Sequence, residues 1–290
     1  MRHLDLFSGI GGFAYAVDQT WYEETNEHIF VEWDTFCQQV LRKHWPEAEI
    51  HGDIRAFTNT HSRRRNTQSR TSSIGASRQN NNNAIASDTR PFLLTGGFPC
   101  QPFSQAGRRK GTADDRYLWP PMLECVRLFR PEWVIAENVR GLVTWNDGLV
   151  LETVCSDLEA EGYEVQPLII PACAIGAPHR RDRVWIIAQN SFSKRGRGRL
   201  ESIGQVLEGK TTKIEDARSS WKENWIEVAT RLCVLDDGLS RRMVRLPDGR
   251  RITRAKWRQE VLKAYGNAIV PQVAMEIMRA MKKPKSAIRK

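Results

Sequence analysis

Short apolar runs and amphipathic stretches alternate along most of the chain. Arg2 to Phe7 predicts a strand, and Phe13 to Val17 predicts the start of a helix. Ile29-Phe30-Val31-Glu32 predicts a second strand ending in an acid, and Thr35 to His44 a helix that stops before Pro46. Phe92 to Thr95 predicts the next strand and Tyr117 to Phe129 a helix. Trp133 to Ala136 then predicts a strand that delivers Glu137. Leu149 to Ala160 places Leu151, Val154, Cys155 and Leu158 on one helical face. Tyr163 to Ile170 and Val184 to Ala188 predict the last strands. A helix from about Gln259 and a closing helix over Val270 to Met281 complete the pattern. Strands that alternate with helices predict an α/β fold with a doubly wound sheet, its working residues at the strand ends.

Two stretches break this rhythm. Thr58 to Arg90 is rich in Ser, Asn, Thr and Arg, contains Asn80-Asn81-Asn82-Asn83 and has few apolar residues. Such a composition does not support a packed core, so residues 58–90 are expected to be a flexible, solvated insert. Gln189 to about Arg258 begins with the basic run Lys194 to Arg199. It continues through Trp221, Trp225, Trp257 and the cluster Arg241-Arg242-Met243-Val244-Arg245. Residues 189–258 are therefore expected to form a small recognition region, and 1–188 with 259–290 one discontinuous domain.

Composition narrows the function. With 290 residues the chain can bury a substantial core. A formal net charge of +10 favours a polyanionic partner. The 6 cysteines form no Cys-x-x-Cys pair, which suggests neither a metal site nor a disulfide framework and fits a reducing cytoplasm. Met1-Arg2-His3 runs straight into the first strand. No apolar run approaches the roughly 18 residues of a membrane span, so no membrane role is expected.

Two glycine-rich loops carry the candidate chemistry. Gly96-Gly97-Phe98-Pro99-Cys100-Gln101-Pro102-Phe103-Ser104 follows an apolar run and holds one thiol at the carboxyl edge of the sheet. Asp5-Leu6-Phe7-Ser8-Gly9-Ile10-Gly11-Gly12-Phe13 has the strand, glycine loop and helix of a dinucleotide-type binding unit. Glu32 lies about twenty residues beyond it, where such folds hold ribose hydroxyls. The glycine loop alone leaves nicotinamide nucleotides open as ligands.

In order along the chain, these segments resemble the DNA cytosine-5 methyltransferase family of bacterial or phage type. Asp5 to Phe13 is similar to its cofactor loop, and Glu32-Trp33 and Gly52-Asp53-Ile54 to the next cofactor motifs. Pro99-Cys100-Gln101 is similar to its nucleophile motif, and Asp115 to Trp119 to the segment after the catalytic loop. Glu137-Asn138-Val139 is similar to its glutamate motif, Pro178 to Val184 to its Gln-x-Arg-x-Arg motif, and Gly266 to Pro271 to its last motif. The pairing of Pro-Cys-Gln with Glu-Asn-Val argues against nicotinamide nucleotides.

The resemblance implies a Rossmann-like S-adenosylmethionine-dependent sheet with a small target-recognition lobe. It implies methyl transfer to C5 of a flipped-out cytosine in duplex DNA through a covalent Cys100 adduct at C6. Glu137 is then expected at N3 and the exocyclic amine of the base, Arg183 at O2, Arg181 on the active-site loop or a phosphate, and Asn138 bracing the loop. Arg181 and Arg183 share a face if their stretch is extended. Phe7 and Trp33 would flank the adenine of S-adenosyl-L-methionine, Glu32 bind the ribose and Asp53 the adenine amine. Gly9, Gly11 and Gly12 would admit the methionine portion, and Asn267 would close the pocket. Gln101, Ser104, Arg108 and Arg109, with Lys110, would grip DNA. His179 departs from the family's glutamine. A monomer is expected, with any cognate restriction endonuclease acting separately. An RNA cytosine-5 methyltransferase and a non-catalytic DNA-binding relative are the alternatives.

Overall fold

The structure, a computed structural model, describes residues 1–24, 26–72, 93–99, 117–177, 180–192, 243–245 and 249–282. Strands β1 (Arg2–Leu6), β2 (Glu27–Val31), β3 (Glu49–His51), β4 (Leu93–Gly96), β5 (Trp133–Val139), β6 (Tyr163–Pro171) and β7 (Asp182–Asn190) form one sheet. Its order is β3-β2-β1-β4-β5-β7-β6. The pairs among β1 to β5 are parallel, whereas β7 runs antiparallel between β5 and β6.

Helices cover both faces. Those before the last strands are α1 (Gly12–Thr20), α2 (Thr35–His44), α3 (Ile54–Ser72), α4 (Trp119–Phe129), the short α5 (Gly141–Thr144) and α6 (Leu149–Ala160). After a small hairpin of β8 (Met243–Arg245) and β9 (Arg251–Thr253) come α7 (Arg254–Asn267) and α8 (Pro271–Lys282). Leu4 and Leu6 point to one sheet face, where Ile54 and Phe57 of α3, Met122 and Val126 of α4 and Val154 and Leu158 of α6 complete a core. The opposite face buries Leu93, Trp133, Ile135 and Trp185 under Phe13 and Val17 of α1 and Val273, Ile277 and Met278 of α8. Central strands buried on both sides explain the near-continuous apolar runs in the sequence.

The doubly wound α/β expectation holds, with several corrections. Residues 58–72, expected within the insert, continue α3 as regular helix. Ile54 and Phe57 are buried, and Phe57 stacks on Phe129 at 5.6 Å, so the first turns are anchored by packing. A nucleated helix then propagates through residues of modest propensity. Residues 73–90 lie outside those described. Strand β7 reaches Asn190 and α7 begins at Arg254, so both ends of the expected 189–258 region belong to the large domain. Trp257, expected in the recognition region, lies on α7 and packs partly buried against the cluster that holds Ile10, Phe36 and Val40. Trp221, Trp225 and the basic run from Lys194 lie outside the described residues. The closing helix packs beside α1 on the same face of the sheet.

The turn between β1 and α1 depends on glycine for more than flexibility. Gly11 has φ of 84° and packs so closely that an added Cβ would sit 2.4 Å from the Trp45 ring. Gly9, with φ of 54°, faces open space. Gly11→Ala therefore combines backbone strain with a clash and is expected to cost about 2 to 4 kcal/mol. Gly9→Ala carries the backbone strain alone, about 1 to 2 kcal/mol. Urea unfolding of the two variants checks this ranking.

Candidate active site

Because β1, β2, β4 and β5 are parallel, the segments that follow them emerge at one edge of the sheet. After β1 the chain turns sharply. Phe7 adopts φ of 56°, and its amide donates to Val31 O at 2.7 Å. Ser8 Oγ donates to Asp5 O at 2.7 Å and Gly11 N to Ser8 O at 2.9 Å, which closes the turn. Glu32, at the end of β2, is the centre of this corner. Its Oε2 accepts from Gly9 N at 2.7 Å and its Oε1 from Asp34 N at 2.7 Å. Burial raises its pKa, and the backbone amides act against that rise.

The surroundings suit a nucleoside ligand. The Trp33 side chain is 84% exposed beside this corner, an aromatic surface with no cover among the described residues. Phe7 is half-buried against the core. Asp53 Oδ1 accepts from Arg55 N at 2.7 Å at the start of α3 and leaves its second oxygen exposed. Gly9, Glu32 and Trp33 thus bring together an open backbone corner, a buried acid and an exposed ring. Gly11 and Gly12 serve packing. Their added Cβ atoms would meet Trp45 at 2.4 Å and Ile269 at 2.8 Å, so close packing also requires glycine at both positions.

The carboxy-terminal segment buttresses this corner. Asp34 caps α2 by accepting from Phe36 N at 3.0 Å and Cys37 N at 3.2 Å, and its other oxygen meets Lys263 Nζ of α7 at 2.5 Å. Ile10 packs with Ala264 and Ala268. Asn267 is exposed at the end of α7, where the chain turns toward α8.

The second part of the site forms where β5 meets β7. Glu137 pairs in register with Trp185 and Arg183 with Val139, so Glu137 and Arg183 are diagonal neighbours on one face. Glu137 is 8% exposed, and its Oε1 lies 2.9 Å from Arg183 Nε. Burial raises the Glu137 pKa, and the Arg183 and Arg181 guanidinium groups oppose the rise. Gly97 lies against the same carboxylate, since an added Cβ would stand 3.4 Å from Glu137 Oε2. Asn138, on the other face, donates from Nδ2 to Phe98 O at 3.0 Å and accepts Val139 N at 2.9 Å. It therefore pins the chain just before Cys100.

Arg181 departs from expectation. Its φ is 34°, so the stretch through Arg183 is not extended. The turn sends its Nη2 to Gly266 O at 3.0 Å and Ala268 O at 2.6 Å, which fastens the carboxy-terminal segment to the site. Arg181 Nε is buried and has no partner among the described residues. Asp182, between the two arginines, accepts from Arg140 Nη1 at 2.7 Å and Arg180 Nε at 3.0 Å. Gly97, Arg140 and Lys263 are additions to the sequence reading. Only Gly97, within the Gly-Gly-Phe-Pro run, carried a local signal. Cys100, Gln101, Ser104, Arg108, Arg109 and His179 lie outside the described residues. Among those described, no cluster of His, Cys, Asp or Glu could hold a metal ion, and no helix is long and apolar enough to cross a membrane.

Comparison with known proteins adds an independent line. The family model described as C-5 cytosine-specific DNA methylase matches residues 1–232. The type II methyltransferase M.HgiCII of Herpetosiphon aurantiacus is 30% identical over 190 residues, 64% of this chain and 36% of that protein. M.NlaX of Neisseria lactamica is 27% identical over 211 residues, 71% of this chain and 59% of that protein. The chain thus spans only part of the curated relatives' length. Among solved structures, the Entamoeba histolytica methyltransferase EhMeth aligns with a TM-score of 0.57 at 14% identity, covering 97% of each chain. A Spodoptera frugiperda DNMT2 mutant aligns at 0.54 and 13% identity, covering 97% of this chain and 99% of that one. At these identities the likeness is one of fold.

Replacing Arg183 by Gln removes the larger of the two cationic influences on Glu137, so the carboxyl is expected to titrate at a higher pH than in the parent protein. A carbon-13 NMR titration of Glu137 checks this, and an unchanged midpoint counts against the ion pair.

Proposed function

The chain belongs to the C-5 cytosine-specific DNA methylase family, and on that premise we propose that it methylates C5 of cytosine in duplex DNA with S-adenosylmethionine as donor. The observation that carries this reading is the buried Glu137–Arg183 pair at the same sheet edge as the Glu32 corner. A base held at the first and a nucleoside cofactor at the second would meet between the ends of β4 and β5. S-adenosylmethionine supplies an electrophilic methyl group when bound, and Gly9, Glu32, Trp33, Phe7, Asp53 and Asn267 are the residues assigned to hold it.

Cytosine C5 is a weak nucleophile, and the protein's task is to activate it. We assign Cys100 as the thiolate that bonds to C6, which moves the ring's electrons toward C5 and N3. A Glu137 carboxyl with a raised pKa can share a proton with N3 as that charge builds. Arg183, beside Glu137, is assigned to O2. Arg181 has an unpartnered Nε–H to offer the loop that bears Cys100, while its Nη2 closes the carboxy-terminal side. Once C5 carries the methyl group, its proton leaves to a base, the electrons return to the ring, and the C6–S bond breaks to restore Cys100. Attack at C6 comes from above the ring, so the cytosine must leave the duplex, with Gln101, Ser104, Arg108 and Arg109 assigned to the DNA. The net charge of +10 suits that partner. We place the protein as a cytoplasmic monomer, with any restriction endonuclease a separate protein.

Labelled methyl transfer to unmethylated duplex DNA, followed by mapping of the modified base, tests the assignment. The parent protein is expected to label cytosine C5 and Cys100→Ala to abolish the label. Glu137→Gln is expected to lower kcat by about 10²- to 10³-fold. Label on RNA but not on DNA would reassign the substrate.

A further inference from the structure

Beneath the cofactor corner runs a row of buried polar side chains that the chemistry above does not use. Asp5 and His3 project from β1, Thr95 from β4 and His28 from β2, on the sheet face covered by α1, which contributes Asp18. Asp5 Oδ1 lies 2.6 Å from Thr95 Oγ1, and Thr95 Oγ1 lies 2.7 Å from His3 Nε2. His3 Nδ1 lies 3.0 Å from His28 Nδ1, and His28 Nε2 lies 2.9 Å from Asp18 Oδ1. Asp5, Thr95, His3 and His28 are buried, whereas the Asp18 side chain is 34% exposed. The row leads from the base of the cofactor loop to the surface.

Its hydrogen bonds constrain its protons. Two ring nitrogens 3.0 Å apart share one hydrogen. Asp18 keeps a lowered pKa, because its bonds from His28, Trp45 and Asn26 outweigh the opposing effect of burial. His28 therefore carries hydrogen on Nε2. Two orders then satisfy every bond with the same number of protons. In one, Asp5 is ionised and the histidine pair bears a positive charge. In the other, Asp5 donates to Thr95, Thr95 to His3 Nε2, His3 Nδ1 to His28 Nδ1, and His28 Nε2 to Asp18, leaving no charge among the wholly buried groups.

Electrostatics selects the second order. Burial pushes the Asp5 carboxyl up to about 8, with the Thr95 bond opposing and the Glu32 charge adding to the rise. Burial pushes the His3 pKa well below its ordinary value. The other groups facing the row are Glu32 and His28 from β2, Asp18 from α1 and the neutral Trp45 indole after α2. From α8 come apolar side chains, its Glu276 and Arg279 pairing with each other at 2.6 Å.

We propose that Asp5, Thr95, His3, His28 and Asp18 form one proton-ordered chain that keeps Asp5 uncharged beneath the cofactor loop, which makes His3 and His28 positioning residues for cofactor binding. Glu32 holds the loop through Gly9 N, and a second anion at Asp5 would work against that carboxylate. Asp5 also anchors the turn directly, since its carbonyl accepts Ser8 Oγ. The proposal rests on reading this corner as the S-adenosylmethionine pocket.

Two measurements test it. Nitrogen-15 NMR of the ligand-free protein at pH 7 is expected to find both rings neutral, with hydrogen on Nδ1 of His3 and on Nε2 of His28. A doubly protonated His28 would overturn the proposal. Calorimetric titration with S-adenosylhomocysteine is expected to give binding about tenfold weaker at pH 9 than at pH 7, as the protonated fraction of Asp5 falls. Asp5→Asn cannot ionise and is expected to lose most of that difference, while the ligand's own amine titrates equally in both proteins. An equal pH dependence in both would overturn the proposal and leave the cofactor reading standing. No binding by the parent protein at any pH would overturn the cofactor reading and this proposal with it.

Discussion

The antiparallel insertion of β7 beside β5 is the constraint on which the rest of the site depends. A parallel strand in that place would carry its amino-terminal residues to the far edge of the sheet. Running the other way, β7 begins where β5 ends, and the register sets Arg183 diagonally against Glu137. A buried carboxylate without such a partner would be strongly destabilised or would hold its proton. With Arg183 at 2.9 Å, Glu137 stands between those outcomes, its pKa still raised by burial but opposed by a cation.

Three buried acids line the working half of the sheet, and each meets a different solution to the cost of burial. Glu32 accepts two backbone amides, which stabilise its charge and at the same time shape the cofactor corner. Glu137 is matched by guanidinium groups. Asp5, with one oxygen bonded to Thr95 and the other unpartnered among the described residues, has neither amide nor cation and is pushed toward the neutral acid. Carboxylic acids thus meet three different electrostatic environments, according to what the fold places beside each.

The carboxy-terminal segment joins these parts. Its α8 covers the apolar side of α1, while α7 reaches the cofactor corner through Lys263 and Asp34 and packs Ala264 and Ala268 on Ile10. Arg181 fastens the turn between the two helices with bonds to Gly266 and Ala268 carbonyls. Residues remote in sequence therefore link the glycine loop after β1 to the strand end that carries Glu137. The left-handed backbone at Arg181 is the strained element that makes this reach possible.

Much of this protein was legible in its sequence. Helices over Thr35–His44 and Leu149–Ala160, and the strand that begins at Trp133 and carries Glu137, follow from periodicity and breakers, because each packs with local apolar spacing. The placement of Glu32, Glu137 and the glycine loop at the carboxyl edge was legible because each directly follows or ends an apolar run that reads as a strand. Other features had no local signal. The serine- and arginine-rich start of the supposed insert is helical because Ile54 and Phe57 anchor it against another helix, and Trp257 is a core residue because α7 turns back on Ile10. The close contact of Trp45 with Gly11 has no signal in the sequence near either residue. The sequence by itself determined which elements form and which residue types meet at the carboxyl edge, since periodicity and strand ends are local properties. Tertiary structure alone decided which acids are buried, which arginine faces Glu137 and which histidines touch, because burial and electrostatic pairing depend on neighbours that lie far away along the chain.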